Sequence, residues 1–269
     1  MSESTSEERS RSILEAAAEA DWDLVRSRIF ANSEEAKAVH PTTNQTLLHL
    51  LCKDANSEDD IFDKVLTIFP EACKVQDKIY STTPLHVLCW NSQRSVSRVS
   101  RLLDFMDAED LLIRNRFGGT ALHSACGSHA WLPVIKALVT KNPTILVQRT
   151  PEHNHTALTA LWHSHLQTIQ GHMAIARLLE GEDVNEGHFR RFWEKVTYLA
   201  CESFKLSPSY PMLETDELDD YLLQGLIHLR APLNIMKGMI PFRVTDVAVC
   251  YQPKSLLLTS FYLFLELLL

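Results

Sequence analysis

The sequence lacks the short motifs that mark the common classes of enzyme. The 269 residues contain no Walker loop, no Gly-x-Ser-x-Gly elbow and no Gly-x-Gly-x-x-Gly turn. None of the six cysteines belongs to a Cys-x-x-Cys pair, so a zinc-finger signature is also missing. We therefore predict a protein that is not an enzyme and that uses no cofactor and no metal.

Positive charge is scarce as well. The chain has 26 Lys and Arg residues against 34 Asp and Glu residues, which gives a net charge of −8. No run of Lys and Arg is long enough to create a local exception. Because nucleic-acid binding requires a positive footprint, we do not expect nucleic acid as a partner.

A targeting segment is the next feature that the sequence lacks. The first twelve residues, MSESTSEERSRS, have no apolar core for a secretory signal and too much acid for a transit peptide. We expect residues 1–10 to be disordered. The expected location is the cytoplasm, with the nucleus as the alternative, and the cysteines are then free thiols in a reducing compartment.

One strong internal repeat stands against these absences. Residues 46–52 read TLLHLLC, residues 83–89 read TPLHVLC and residues 120–126 read TALHSAC. A fourth copy at residues 156–162, TALTALW, has Thr in place of His. The copies start 37, 37 and 36 residues apart. A catalytic Cys–His pair is needed only once, so three copies in register indicate a structural role.

Each part of the repeated motif has a physical reason. The threonine suits the N-cap of a helix, where its hydroxyl accepts an orphan backbone N–H. Pro84 stands at the first helical position, where a missing N–H costs nothing. The apolar run that follows predicts a short helix buried between neighbours. Two residues before the threonines stand Asn44, Ser81, Gly118 and Asn154, and Asn and Gly tolerate left-handed turns best.

The motif resembles the ankyrin repeat, whose hallmark is Thr-Pro-Leu-His followed by a short helix. Residues 83–89 match best, and residues 115–126 also keep the turn glycine of that family. The resemblance implies an all-α solenoid of stacked helix-turn-helix units, in which the histidine hydrogen-bonds backbone near the turn. An ankyrin repeat has about 33 residues, so the longer period predicts extra residues between or after the two helices. The structural motif residues are Thr46, His49, Thr83, Pro84, His86, Thr120, His123 and Thr156.

The spacing of apolar residues predicts a second helix in each unit. These helices are expected over residues 59–72, 95–107 and 131–145. Pro70 and Pro143 are expected to end the first and the last of them.

The remaining segments define the predicted domain boundaries. Residues 11–40 read as two N-terminal capping helices around Asp21, and residues 41–160 as the ankyrin repeats. Residues 161–250 read as a divergent, repeat-like helical region. It includes predicted helices at 171–180 and 188–204 and a degenerate repeat at 219–240. The helix at 188–204 is predicted to have Phe192, Val196, Leu199 and Ala200 on its apolar side and Lys195 on the opposite, polar side. Residues 255–269 form an apolar C-terminal tail.

The resemblance implies a scaffold or adaptor that binds a partner protein through the concave surface of the solenoid. Because the motif residues hold the stack, binding falls to turn tips and exposed positions, where aromatic and Arg side chains are the usual anchors. Packing between repeats is an equal alternative for the two tryptophans. The tips are basic on an acidic chain, which predicts a partner segment with negative charge. The candidates are Lys78, Tyr80, Trp90, Arg114, Arg116, Phe117, Trp131, His153 and His155.

Two other functions stay open at this point. The tail at 255–269 is a candidate membrane tether, but as a helix it spans roughly 21 Å of a hydrocarbon core of roughly 30 Å. A helix that closes the stack, or a tail not selected for this fold, are the other interpretations. The second function is a metal-responsive module, although zinc ligands on one helix require a spacing of three or four. Its candidate ligands are His153, His155, His163, His165 and His172.

Overall fold

The computed structural model describes residues 11–91, 96–166 and 187–206, and these residues are mainly helical. Within these ranges no strand is formed, and the single isolated bridge joins Val39 and Thr46. The predicted all-α class is confirmed. The helices are α1 (Ile13–Ala18), α2 (Trp22–Ala31), α3 (Leu47–Lys53), α4 (Asp59–Ile68), α5 (Pro84–Trp90), α6 (Val96–Asp104), α7 (Ala121–Gly127), α8 (Leu132–Lys141), α9 (Ala157–Leu166) and α10 (Gly187–Leu206).

The helices are arranged in two rows. Helices α1, α3, α5, α7 and α9 pack on one another in chain order and form the first row. Helices α4, α6, α8 and α10 do the same in the second row, and each of them also packs on its first-row neighbour. One hydrophobic core fills the space between the rows, with Leu48, Leu85 and Leu122 from the first and Phe62 and Leu102 from the second.

The two helices at the N-terminal end follow the sequence signals closely. Ser12 caps α1 in a capping box with Glu15, and Asp21 caps α2 by accepting a hydrogen bond from the Leu24 N–H at 3.2 Å. The apolar faces of α1 and α2 are buried against α3 and against each other. The predicted pair of short helices around Asp21 is therefore present.

The second helices end earlier than predicted. Helix α4 ends at Ile68 rather than near residue 72, and α8 ends at Lys141 rather than near residue 145. Both helices end just before Pro70 and Pro143, as predicted, and each proline opens a separate 3₁₀ segment, because a proline at a first helical position leaves no N–H unsatisfied. Such a segment follows each of the first four helix pairs, at Ser33–Lys37, Pro70–Lys74, Ala108–Leu112 and Pro143–Val147.

Ion pairs join neighbouring units along the second row. Arg26 of α2 pairs with Asp60 of α4 at 2.6 Å, and Arg101 of α6 pairs with Asp63 of α4 at 2.7 Å. Such exposed pairs stabilise a protein only slightly. They do place a carboxylate beside Arg26 and beside Arg101.

The last described helix corrects one prediction. Helix α10 buries Phe192, Val196 and Leu199 as predicted, but Lys195, which the pattern assigns to the polar side, is also buried. Helix α10 packs on α8 and α9. No helix within the described ranges combines the length and the apolar character needed to cross a membrane. The predicted disorder at 1–10, the helix at 171–180, the degenerate repeat at 219–240 and the tail at 255–269 lie outside the described residues.

Candidate functional site

The repeated Thr and His residues form the same hydrogen-bonded arrangement three times. The backbone N–H of Thr46 donates to Nδ1 of His49 at 3.1 Å, and Nε2 of His49 lies 3.1 Å from the carbonyl oxygen of Thr82 in the next unit. His86 and His123 repeat these contacts, with their Nε2 atoms at 3.2 Å from Gly119 O and 3.0 Å from His155 O. Each imidazole thus completes a capping box and links its unit to the next.

These contacts fix the histidines in their neutral form. A backbone N–H points at Nδ1, so Nε2 carries the proton and donates it to the carbonyl. Burial lowers the pKa of His86 and of His123 to about 4 and lowers the pKa of His49 as well. A second proton on Nδ1 would oppose the threonine N–H, so these imidazoles do not exchange protons near neutral pH.

The cysteines of the motif are equally committed to packing. Cys52, Cys89 and Cys126 are buried free thiols on α3, α5 and α7. Burial raises the pKa of all three, to about 12 for Cys126. Because the thiolate is the reactive form, a thiol with a raised pKa is a poor nucleophile. The Thr, His and Cys of residues 120–126 therefore serve the stack.

The turns before the first helices have the left-handed residue that the sequence indicates. Asn44, Ser81, Gly118 and Asn154 have φ angles of 58°, 51°, 73° and 53°. At Gly118 a Cβ atom would lie 2.1 Å from Cδ of Pro151, so the glycine also permits the close approach of the next turn.

Side chains inside these turns make them rigid. The buried carboxylate of Asp77 accepts hydrogen bonds from the N–H groups of Ile79 and Tyr80, both at 2.7 Å, and from Thr82. Burial opposes the charge of Asp77, but the hydrogen bonds from Thr82 and the backbone outweigh it and lower its pKa. The Arg116 N–H donates to Tyr80 O at 2.7 Å and so ties one turn to the next. The tips are therefore fixed relative to each other.

The predicted partner-binding residues fall into two groups. Lys78, Tyr80, Arg114, Arg116, Phe117, His153 and His155 lie in the turns before first-row helices. Trp90 ends α5 and Trp131 caps α8, so both lie at the opposite end of these helices. A seven-residue helix is about 10 Å long, which separates the groups. Trp90 is 64% and Trp131 53% exposed, so neither is buried between repeats.

The first group contains an exposed aromatic pair. Tyr80 and Phe117 occupy equivalent positions of neighbouring turns, and their rings stack with centroids 6.3 Å apart and planes inclined by 27°. They remain 52% and 60% exposed. Lys78 and Arg116 lie beside them along the chain and are exposed as well. We call these four residues, together with the exposed Ile79, the tip surface.

Arg114 has a different environment from Arg116. Its guanidinium donates to the carbonyl oxygens of Gly118 at 2.6 Å and Arg149 at 2.7 Å, and to Oε1 of Gln148 at 2.8 Å. It thereby braces its own turn against the next. Arg116 makes one long contact, 3.5 Å to Ile79 O. Both arginines have the same predicted role in partner binding, and Arg114 has a structural role in addition.

The histidines of the fourth unit do not gather into one site. The rings of His153, His155 and His163 follow one another with centroid distances of 5.4 Å and 5.8 Å, whereas His165 stacks on Phe192 at 3.7 Å. His172 lies outside the described residues. Within the described ranges no group of three His, Cys, Asp or Glu side chains is placed to hold a metal ion.

Two polar contacts join segments that lie far apart in the sequence. The buried Nζ of Lys195 donates to the carbonyl oxygen of His129 at 3.0 Å, and Ser164 donates to Gly127 O at 2.7 Å. Burial lowers the pKa of Lys195. His129 has a φ of 59°, which turns its carbonyl out of the helical pattern. No local signal predicts this contact, because its partners are 66 residues apart.

A scan against protein-family models gives no match for this chain, and a search of curated proteins gives none. The function is therefore argued from the residues of the chain itself.

Proposed function

We propose that this chain is an ankyrin-type repeat solenoid that acts as a scaffold or adaptor without enzymatic activity. The repeated Thr-x-x-His arrangement and the helix pairs that follow it support the ankyrin assignment. Each unit buries one face only by stacking on its neighbours, which is the property of a solenoid. We place the protein in the cytoplasm, with the nucleus as the alternative.

One observation carries the proposed binding function. The Thr and His positions that hold the stack are nearly identical in the first three units, whereas the tip positions at the same spacing are Thr43, Tyr80, Phe117 and His153, of which the last three are exposed. The rings of Tyr80 and Phe117 touch each other but remain largely in water, so burial in the core does not account for them. Aromatic side chains are strongly enriched in the centres of protein interfaces. The tips and the first helices are therefore the proposed partner-binding surface.

Site-specific photo-crosslinking tests this proposal. We would replace Tyr80 or Phe117 of the full chain with a photo-reactive phenylalanine analogue and irradiate it in extract of the source cells. Phe30 and Phe105 provide matched controls, because both are exposed aromatics outside the turns. We expect the two tip positions to give one common protein adduct that the controls do not give. Identical adducts from all four positions, or none from the tips, would contradict the proposal.

A further inference from the structure

The aromatic pair at the tips is preorganised for binding. Tyr80 is held by the hydrogen bond from its own N–H to Asp77 and by the one that its carbonyl oxygen accepts from Arg116. Asn115 holds the next turn by accepting from the N–H groups of Phe117 and Gly119, both at 3.0 Å. The backbone positions that present the two rings are thus fixed before any partner arrives. A partner does not have to order this surface, so little affinity is lost to conformational entropy.

The cations beside this pair are not neutralised by ion pairs, unlike several others. Arg26, Lys74 and Arg101 each have a carboxylate within 4.0 Å. Within the described ranges, the ion pairs involve neither Lys78 nor Arg116. The nearest acid along the chain, Asp77, directs its carboxylate to the backbone of its own turn. On a chain of net charge −8, the tip surface therefore combines two exposed cations with two exposed rings.

We propose that the tip surface binds a short segment of a partner protein in which an apolar side chain is flanked by carboxylates. The apolar side chain packs against Tyr80, Phe117 and Ile79, and the carboxylates pair with Arg116 and Lys78. This inference rests on the proposed scaffold function and specifies the chemistry of its partner. Arg114 is not part of the site, because its donors are already used within the turns.

The charge of the whole chain favours a short acidic segment over a nucleic acid. Charges separated by more than the Debye length of about 8 Å at physiological salt are largely screened. A segment that covers only the tip surface therefore responds mainly to Lys78 and Arg116. A nucleic acid that extends beyond the tips meets the acidic remainder of the protein, which does not offer the basic track that such a ligand needs.

Peptide selection provides the test. The full chain is immobilised and used to select from a display library of random peptides of roughly twelve residues. Binders that also bind the Phe117→Ala/Arg116→Gln variant are discarded. We expect the remaining peptides to combine Asp or Glu with an adjacent Leu, Phe, Tyr or Trp. Replacing their acids by amides should weaken binding to the wild-type chain by about tenfold or more, and added salt should weaken it further.

Matched variants and competitors complete the test. The Arg26→Gln variant, which loses a cation from the opposite side, should bind the selected peptides as the wild type does. Single-stranded oligothymidylate and an excess of the unlabelled chain are used as competitors.

Three results would overturn the inference. The first is a set of selected peptides without acidic enrichment. The second is the absence of any peptide that distinguishes the wild type from the tip variant. The third is displacement of the bound peptide by oligothymidylate, or by a second copy of the chain, at a lower concentration than by the amide form of the peptide. If the photo-crosslinks from Tyr80 and Phe117 persist in such a case, the scaffold function stands and only the acidic, apolar partner is rejected.

Discussion

The buried Thr–His positions and the exposed tip positions recur at the same spacing but have opposite environments. His49, His86 and His123 are buried, and both ring nitrogens of each have a partner. Tyr80 and Phe117, which lie a few residues earlier in each unit, are mostly in water and change identity from unit to unit. The same period therefore places the buried Thr–His residues that stabilise the fold, which we call the frame, and the exposed tip residues that vary from unit to unit. Changes to the frame should alter unfolding, and changes to the tips should alter binding.

Acid should lower the free energy of unfolding through the buried histidines, and this is the largest effect that we expect. The pKa of His86 and of His123 is about 4 in the folded protein, against an ordinary value of 6.5. The unfolded chain therefore binds more protons below pH 6.5, so stability present above that pH is lost as the pH falls toward about 4. At about pH 5 each histidine should cost about 2 kcal/mol of unfolding free energy. Urea unfolding at about pH 7.5 and about pH 5 measures this loss, and equal stability at both would refute it.

Removing one histidine should have the next largest effect. His86→Ala leaves the Thr83 N–H without its acceptor, removes one of the two donors to the Gly119 carbonyl oxygen and opens a cavity, which should cost about 3 kcal/mol. Thr159→Ala is the matched control in the fourth unit, where threonine replaces histidine and bonds to Thr156. It should cost about 1 kcal/mol. Urea midpoints at neutral pH compare the two, and similar losses would show that the bridge to the next unit contributes little.

Gly118 lies in the turn between the tip residue Phe117 and the buried Thr120, so its substitution tests how much this turn contributes to stability. Gly118→Ala places a Cβ against the ring of Pro151 at a left-handed φ, so it should destabilise the protein by about 2 kcal/mol. In Gly127→Ala the new Cβ meets only the Trp90 ring at 3.9 Å, and alanine favours the helix. Thermal unfolding should show a lower midpoint for the first variant only. A fall for both variants would mean that the turn itself is not the sensitive element.

Substitutions of Arg114 and Arg116, which lie in the same turn, should give the smallest change in stability, but the two should differ from each other. Arg114→Gln removes charged hydrogen bonds to two backbone carbonyls and should lower stability by about 1 kcal/mol. Arg116→Gln should change stability by less than about 0.5 kcal/mol. Urea unfolding of both variants distinguishes a residue of the frame from a residue of the tip surface. If Arg116 proves the more costly of the two, the division drawn here is wrong.

Features that depend on neighbours in sequence could be predicted, and those that depend on distant neighbours could not. The cap threonines, the left-handed residues such as Asn44 and the short helices around Asp21 all follow from signals within a few residues. The sequence also separated His163 from His165, which face different surroundings. The ring stack of Tyr80 on Phe117 required knowledge of how successive turns meet, although their equivalent positions indicated that both lie at the tips.

Contacts between units determine the environment of two residues that the local pattern does not resolve. The pattern predicts Lys195 on the polar side of its helix, but its Nζ is buried and donates a hydrogen bond to a carbonyl oxygen 66 residues away. Arg114 is a predicted partner-binding residue, and a turn about 35 residues further on uses its donors. Neither contact follows from neighbours in sequence.

The column of buried thiols gives the protein a set of intrinsic chemical probes. Cys52, Cys89 and Cys126 lie in three successive units and are shielded from solvent in the folded state. A water-soluble disulfide reagent reaches each sulfur only while its own unit is open. The relative labelling rates of the three sites therefore report which unit opens first and whether neighbouring units open together. Native chain without any introduced label is sufficient for that kinetic experiment.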